Sequence, residues 1–307
     1  NYFQTLEFGS HILKINKIKS HNLDSELLLS FVLNSSREKI LINLNEKIKK
    51  ENFKKFKKLI SRRINKEPIA YITGGKEFWK SYFFVNKDVL IPRPETELII
   101  EEMLKIIDKK SFKRILEVGT GSGCIIISIM KERLNCRATA IDISKKAINI
   151  AKFNAKMHHL VNKIKFVNID IDKFKLNKYD FIVSNPPYIN KIDLKRLDND
   201  IKLYEPLEAL EAGIDGLSEV IKLIKQSNNL LKKSINLFIF FVSSIFDLNS
   251  FKNRRFDIVL SSSPSLITFL IGYFASKKFN SEFIIEIRDI WSESLRDLKI
   301  IQSNLIY

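Results

Sequence analysis

The chain has 307 residues, 45% of them hydrophobic, which is the composition of a globular protein with room for one large and one small domain. Two cysteines and four histidines without ligand spacing exclude a disulfide scaffold and predict no metal site. The net charge of +17 suggests a nucleic-acid or other acidic partner, but lysines scattered through predicted helices also fit a biased amino-acid composition. The first residues lack the basic start and apolar core of a signal peptide, so we expect a cytoplasmic protein.

Residues 1–75 are predicted to form a small helical domain that carries no catalytic motif. Apolar side chains recur at helical spacing in a first segment, for which Asn22 or Asp24 is the expected N-cap. A second, heavily charged segment over residues 45–65 carries an intermittent apolar stripe. Pro68 then breaks the helical pattern. We expect this domain to supply packing and a surface that a partner could contact.

Residues 76–92 change to aromatic and β-branched side chains, which predicts a short β-hairpin linker between two domains. The linker leads into the run Ile-Pro-Arg-Pro-Glu-Thr-Glu at residues 91–97, in which two prolines flank Arg93. The acidic residues of this run favour the positive end of a helix dipole, so a helix is expected to begin here. The larger domain is predicted to span residues 93–236.

A buried strand over residues 114–118 is followed at once by a glycine-rich loop and then by a helix. The missing Cβ atoms of such a loop allow the backbone to approach a ligand, although the spacing G-x-G-x-G does not meet the dinucleotide fingerprint. A second strand ends in Asp142, which could accept hydrogen bonds from both ribose hydroxyls of an adenosine or cap the next helix. The loop contributes the candidate cofactor-binding residues Gly119, Thr120, Gly121, Ser122 and Gly123.

Two further strands are predicted to end in polar residues. The third ends at Asp170, where a polar side chain could meet an adenine amino group, and the fourth, residues 181–183, leads toward Asn185. Strands that alternate with helices imply a parallel, doubly wound α/β sheet. Because the carboxyl ends of parallel strands meet at one edge, Asp142, Asp170 and Asn185 are expected to converge on one crevice.

The run Asn185-Pro186-Pro187-Tyr188 suits the binding of a planar –NH2 group. The Asn185 side-chain oxygen and a backbone carbonyl fixed by the two prolines can both accept hydrogen bonds from that group, which turns its nitrogen lone pair toward an electrophile. Tyr188 offers a flat face for stacking on an amide or a base. A strand-ending turn without chemistry is the alternative interpretation of this run taken alone.

The order of the motifs resembles the HemK/PrmC family of S-adenosylmethionine-dependent methyltransferases, which act on a glutamine side chain in peptide-chain release factors. The similarity extends from about residue 23 to residue 233 and rests on the runs IPRPETE, LEVGTGSG, AID, VSNPPY and YEPLEAL. The first and last of these are the more specific, since N-P-P-Y also occurs in methyltransferases that act on adenine and guanine amino groups. Ile171 departs from the pattern, because some members carry an aromatic residue beside the adenine.

The resemblance implies a Rossmann-like methyltransferase domain behind the helical domain and the hairpin linker. It implies that Gly119, Gly121, Asp142 and Asn185 line S-adenosylmethionine. It further implies that the glutamine of a Gly-Gly-Gln loop in a release factor is held by Asn185, Pro186, Pro187 and Tyr188. Of these four residues, Asn185, Pro186 and Tyr188 are the catalytic candidates. The expected partners are release factors, with no membrane and no nucleic-acid substrate, and the protein is expected to be a monomer.

The tail, residues 237–307, does not follow the family pattern. Residues 256–264 and 286–291 instead resemble the amino-terminal domain of family-4 GT-B glycosyltransferases, which need a second domain for their sugar nucleotide. We therefore interpret the tail as a fragment or fusion scar of uncertain role. Residues 258–276 are uncharged but contain several serines and Pro264, which predicts a strand, a loop and a helix rather than a membrane span.

Two alternative functions stay open from the sequence alone. The high positive charge and N-P-P-Y would also suit a methyltransferase that acts on amino groups of RNA or DNA. A divergent tail that fails to complete the sheet would instead leave a binding module with impaired catalysis.

Overall fold

The computed structural model describes residues 1–174, 178–187, 189–213, 218–230, 258–262 and 282–286. Tyr188, one of the predicted site residues, lies outside this range. The chain divides into two units, Asn1–Leu231 and Lys232–Tyr307. All of the other predicted site residues belong to the first unit.

Five helices precede the first strand, in the region that the sequence predicts to be helical. They are α1 Tyr2–Ile15, α2 His21–Leu33, α3 Arg37–Ile42, α4 Lys50–Ile64 and α5 Ile69–Thr73. Every helix contributes a buried side chain to one shared apolar core, for example Leu13, Leu28, Ile40, Phe56 and Ile72. Since short helices are marginal in isolation, this shared core is what stabilises them.

The expected N-cap of α2 is wrong. The helix begins at His21 after Ser20, and neither Asn22 nor Asp24 caps it. Asn22 accepts a hydrogen bond from Ser10 Oγ at 2.6 Å, and Asp24 pairs with Arg63 in the helical core. Both side chains are therefore used in contacts with other helices, which a local capping rule does not include.

The predicted hairpin is formed by β1 Gly75–Phe78 and β2 Ser81–Phe84, which pair antiparallel. Trp79 and Lys80 make the two-residue turn with φ angles of +43° and +58°, as a type I′ turn requires. The hairpin is joined to the larger domain by Asn154, whose side chain accepts from Phe84 N and donates to Phe84 O, both at 2.9 Å.

A parallel four-stranded sheet with the order β5-β4-β3-β6 follows, which confirms the predicted Rossmann-like α/β fold. Its strands are β3 Arg114–Val118, β4 Arg137–Asp142, β5 Ile164–Asn168 and β6 Phe181–Ser184. Helix α6 Glu97–Ile106 precedes β3, and the helices α7 Cys124–Glu132 and α8 Lys145–Met157 connect β3 to β4 and β4 to β5. Val118 is in register with both Ile141 and Ser184, so the carboxyl ends of three strands lie level.

Both faces of the sheet are covered, which explains why apolar residues predominate in its strands. Ile115 packs into a core shared with α6, α7 and α8, whereas the adjacent Leu116 packs with Ile141, Ile171 and Phe174 on the other face. This alternation determines toward which face of the sheet the last side chain of each strand points.

The chain beyond β6 returns along the same edge of the sheet. It forms the helices α9 Lys191–Leu194, α10 Asn199–Tyr204 and α11 Ser218–Leu230. Ile189 N donates to Leu210 O at 3.0 Å, and Ala212 N donates to Ile189 O at 2.9 Å. These bonds fold residues 189–213 back over the carboxyl end of β6.

The second unit contains β7 Ile258–Ser262 and β8 Glu282–Glu286, which pair in parallel. The rest of this unit lies outside the described residues, so its resemblance to a glycosyltransferase fragment stays a prediction. Within the described residues, no helix is long and apolar enough to cross a membrane.

Candidate functional site

A cavity of about 500 Å³ opens at the carboxyl ends of β3, β4 and β6. It brings together most of the residues that the sequence predicts for cofactor and substrate, namely Gly119, Thr120, Gly121, Ser122, Asp142, Asp170, Asn185, Pro186 and Pro187. The volume is within the range of sites for small molecules and cofactors. The predicted convergence of strand ends on one crevice is therefore observed.

The glycine-rich loop forms one wall of the cavity. Gly119 N and Thr120 N both donate to Ile141 O, at 2.9 and 3.1 Å, which pins the loop to the end of β4. Gly119 and Gly121 have φ angles of +71° and +53°, and a Cβ on either would meet no atom within 4 Å. The loop therefore has a left-handed backbone with open space beside it, which is the cradle that a ligand could fill.

Gly123, the fifth candidate of the loop, does not line the cavity. It precedes α7 with a φ of +80°, and a Cβ here would lie 3.0 Å from Ile127 Cδ1 and 3.2 Å from Ala151 Cβ. The structure thus gives Gly123 a packing role between α7 and α8.

Asp142 holds the loop and the start of the next helix together. Its Oδ2 accepts from Gly121 N at 2.9 Å, and its Oδ1 accepts from Ser144 N at 2.8 Å. The actual N-cap of α8 is Ser144, whose Oγ accepts from Ala147 N. Burial raises the pKa of Asp142, and the two backbone N–H donors act against that shift. Each carboxylate oxygen retains a lone pair for a further donor, such as a ribose hydroxyl.

Glu117, which the sequence did not mark as a site residue, is fully buried beneath the loop. Its Oε2 accepts from Thr120 Oγ1, whereas its Oε1 has no hydrogen-bond partner in the described structure. Burial raises the pKa of Glu117 to about 8, despite the opposing hydrogen bonds from Thr120 and from the backbone of Ile126. Burial therefore favours the protonated, neutral form of this carboxyl group, which avoids an unpaired buried charge.

Asp170 contacts the cavity from the end of β5. Its side chain accepts from Asp172 N at 2.9 Å and pairs with Lys222 Nζ of α11, also at 2.9 Å. Although burial acts in the opposite direction, Lys222 lowers the pKa of Asp170. This pair closes the side of the cavity next to Ile171.

Asn185 lies directly after β6, held beside the loop by a bond from Ser184 Oγ to Val118 O at 2.8 Å. Its Nδ2 donates to Thr96 Oγ1 at 3.4 Å, which orients the side-chain amide. Among the described residues no hydrogen bond to the amide oxygen occurs, so this oxygen is available as an acceptor in the cavity. Thr96 belongs to the IPRPETE run, which marked the linker but did not identify this residue as part of the site.

The two runs most specific to the family resemblance contact each other. Glu205 of the YEPLEAL run is buried and pairs with Arg93 of the IPRPETE run, and it also accepts from Ile91 N at 3.3 Å. Arg93 lines the cavity, so this pair fixes the linker beside the site. Sequence analysis missed the pairing because the two residues are 112 positions apart.

The ionisable groups that line the cavity are mostly acidic. Arg93 and Lys222 are the cations of the described lining, and both are paired with carboxylates. The acids of the lining are Asp88, Asp142, Asp170, Glu208, Glu211 and Glu219. No group of three or more His, Cys, Asp or Glu side chains suited to a metal ion occurs in the described part of the chain.

Comparison with known proteins matches residues 4–74 to the PrmC N-terminal domain and residues 95–200 to the methyltransferase small domain. The chain is 40% identical to a release factor glutamine methyltransferase of Buchnera aphidicola, over 71% of this chain and 79% of that protein. It is also 40% identical to a release factor glutamine methyltransferase of Clostridium botulinum, over 73% of this chain and 80% of that protein.

A bifunctional methyltransferase of Rickettsia conorii is 37% identical over 71% of this chain. The chain spans 47% of that relative, which is about half of its length. Among solved structures, a SAM-dependent methyltransferase from Geobacter sulfurreducens is 17% identical with a TM-score of 0.31, over 49% of this chain and 47% of that one.

The parallel sheet, the glycine cradle at its edge and the matched methyltransferase domain define a Rossmann-like methyltransferase. With the PrmC N-terminal domain in front of it and 40% identity to a release factor glutamine methyltransferase, the chain belongs to the HemK/PrmC family.

Proposed function

We propose that this protein transfers a methyl group from S-adenosylmethionine to the side-chain amide nitrogen of a glutamine in a peptide-chain release factor. The observation that carries the proposal is the orientation of Asn185. Its amide nitrogen is bound to Thr96, and its amide oxygen is left as an acceptor beside the glycine cradle. A primary amide is the group that such an acceptor, together with the backbone carbonyl of Pro186, can hold by both N–H bonds.

The residues present fit S-adenosylmethionine. The open space beside Gly119 and Gly121 would receive part of the cofactor close to the protein backbone. Asp142 would accept hydrogen bonds from the ribose hydroxyls of the cofactor. Asp170 borders the end of the cavity that would take the adenine. When bound, the cofactor supplies an electrophilic methyl group on a sulfonium.

Positioning is the main contribution of the protein to the reaction. Asn185 and the Pro186 carbonyl would hold both N–H bonds of the glutamine amide, which directs its nitrogen lone pair toward the cofactor end of the cavity. Tyr188 is proposed to stack on the amide plane. No strong base is required, since the methylated amide loses its extra proton after transfer. Glu117 is already bound to Thr120, and burial raises its pKa.

The charge of the cavity favours a protein substrate over a nucleic acid. Four of the six acids of the described lining are paired with lysines, and both of its cations are paired with carboxylates. The described lining therefore offers no free cation and a slight acidic excess, which would repel the phosphates of RNA or DNA, since these normally bind arginine and lysine. A neutral amide on a protein loop avoids this repulsion and needs no base flipping.

The helical region, residues 1–73, is proposed to receive the release factor. Several of its large apolar side chains are exposed, namely Phe3, Phe8, Ile15, Leu23, Phe31, Leu41 and Ile42. These exposed apolar side chains are available for contact with a protein partner.

The test is transfer of a labelled methyl group from S-adenosylmethionine to a purified release factor, with structured RNA and duplex DNA assayed in parallel. Label should appear in the release factor alone. A release factor in which the glutamine of the Gly-Gly-Gln loop is replaced by alanine should remain unlabelled. Label in RNA or DNA, or in the alanine variant, would contradict the proposal.

A further inference from the structure

Arg63 lies between carboxylates from two distant parts of the chain. Its Nε donates to Asp24 of α2 at 2.7 Å, and its Nη1 donates to Asp200 of α10 at 2.6 Å. The side chains of Arg63 and Asp24 are only 8% and 6% exposed, whereas that of Asp200 is 32% exposed. The guanidinium therefore joins the core of the helical region to the segment that follows the Asn185 loop.

The neighbouring Arg62 makes no comparable connection in the described structure. It pairs with Glu67 and donates to the carbonyl oxygens of Tyr71 and Ile72, at 3.5 and 3.4 Å. These contacts stay within the helical region. Two adjacent arginines thus have different roles, and the Arg62–Glu67 pair serves as a local control for the Arg63–Asp200 pair.

A second hydrogen bond joins the same two elements. Tyr204 OH, at the end of α10, donates to Asn65 O at the end of α4, at 2.8 Å. The residue after Tyr204 is Glu205, which binds Arg93, and residues 206–209 line the cavity. The segment tied to the helical region therefore continues directly into the cavity wall, so the two ties set the position of the helical region relative to the cavity.

We propose that Arg63 is a positioning residue for methyl transfer, and that it acts by fixing the helical region to α10 through Asp200, with Tyr204 as a second tie. The inference rests on the proposed function, in which the helical region binds the release factor and the cavity binds its glutamine. With the two regions held in one geometry, binding of the factor to the first delivers the glutamine to the second. Such pre-organisation is a recognised source of rate enhancement.

The variant for testing must spare the helical core. Arg63→Ala would leave the Asp24 carboxylate buried without its partner, which is strongly destabilising. The double variant Asp200→Asn with Tyr204→Phe weakens both ties and keeps the Arg63–Asp24 pair. The control variant is Glu67→Gln, which removes a salt bridge of the helical region that does not reach α10.

Each variant is assayed with the intact release factor and with a short peptide that contains Gly-Gly-Gln. For the double variant, kcat/KM should fall at least tenfold on the release factor and change less than twofold on the peptide. Affinity for S-adenosylhomocysteine and Tm should remain within error of the wild type, and Glu67→Gln should behave as the wild type throughout. An equal fall on both substrates, or no fall on the release factor, would overturn the inference.

Hydrogen–deuterium exchange separates this inference from the proposed function. If the wild type methylates neither substrate, the proposed function fails, yet the ties can still be measured. The double variant should then show at least tenfold faster amide exchange around Asn65–Ile72 and in α10, and Glu67→Gln should not change exchange in α10. Unchanged exchange in both segments would overturn the proposed connection itself.

Discussion

At the residue scale, the two ends of the Asn185 side-chain amide have different roles. Within the described residues, its nitrogen binds Thr96 and its oxygen is free to accept. Asn185→Ala removes the acceptor for the substrate amide and should reduce kcat/KM for the release factor by a factor of roughly 10²–10³. Affinity for S-adenosylhomocysteine, measured by calorimetry, should change by no more than about fivefold, since one neutral contact contributes about 1 kcal/mol.

Thr96→Val gives a graded control for this prediction. It keeps the shape of Thr96 but removes the hydroxyl that orients the Asn185 amide, so kcat/KM should fall by only about 5–10-fold. If Asn185→Ala weakened cofactor binding as much as it slowed transfer, Asn185 would be a cofactor ligand rather than a substrate ligand.

The pKa of Glu117 leads to a prediction about stability against pH. The carboxyl is raised from an ordinary 4.5 to about 8 by burial, so the folded protein holds a proton that the unfolded chain releases above pH 4.5. The stabilising effect of this proton is complete below pH 4.5 and is lost as pH rises toward 8. Between pH 5 and pH 8, the free energy of unfolding should therefore fall by roughly 3–4 kcal/mol.

Urea unfolding at both pH values checks this expectation. Glu117→Gln cannot ionise and should remove most of the decline, whereas Glu51→Gln, at an exposed position of α4, should leave it unchanged. A wild-type protein that is equally stable at pH 5 and pH 8 would show that Glu117 does not retain its proton.

At the element scale, the glycine loop has two parts with different roles. Gly121 lies beside open space, so Gly121→Ala should mainly place a methyl group in the cradle and weaken S-adenosylhomocysteine binding at least tenfold. Because Gly121 has a left-handed φ, an alanine at this position should also lower the free energy of unfolding by about 1–2 kcal/mol. Gly123→Ala adds contacts at 3.0 and 3.2 Å within the helix packing and should lower Tm further. Calorimetry and thermal melts of Gly121→Ala and Gly123→Ala test these two roles. Equal losses of stability in both variants would contradict them.

The same scale shows what the sequence could and could not predict. The strands that end at Val118, Asp142 and Ser184 followed from apolar runs with polar ends, because that pattern follows directly from a sheet buried on both faces. The roles of Thr96 and Glu205 did not follow, since each depends on a partner about 90 to 110 residues away. The predicted N-cap of α2 was wrong for a related reason, because Asp24 forms a hydrogen bond with Arg63 of another helix.

At the scale of the whole molecule, the described residues that line the cavity all lie between Asp88 and Leu223. A chain that ends at residue 249 should therefore bind S-adenosylhomocysteine within about threefold of the full chain and retain a cooperative melt. Sugar nucleotides should bind neither form, as the interpretation of the tail as a fragment without an activity of its own predicts. Loss of cofactor binding on truncation, measured by calorimetry, would show that the tail contributes to the fold of the site.

The most direct test of the central claim is the location of the transferred methyl group. After reaction with S-adenosylmethionine, tandem mass spectrometry of the digested release factor should place one methyl group on the side-chain amide of the Gly-Gly-Gln glutamine. The same digest after reaction with Asn185→Ala should lack that modification. A methyl group on any other residue, or an unmodified glutamine in a factor that the wild-type protein has otherwise labelled, would contradict the account.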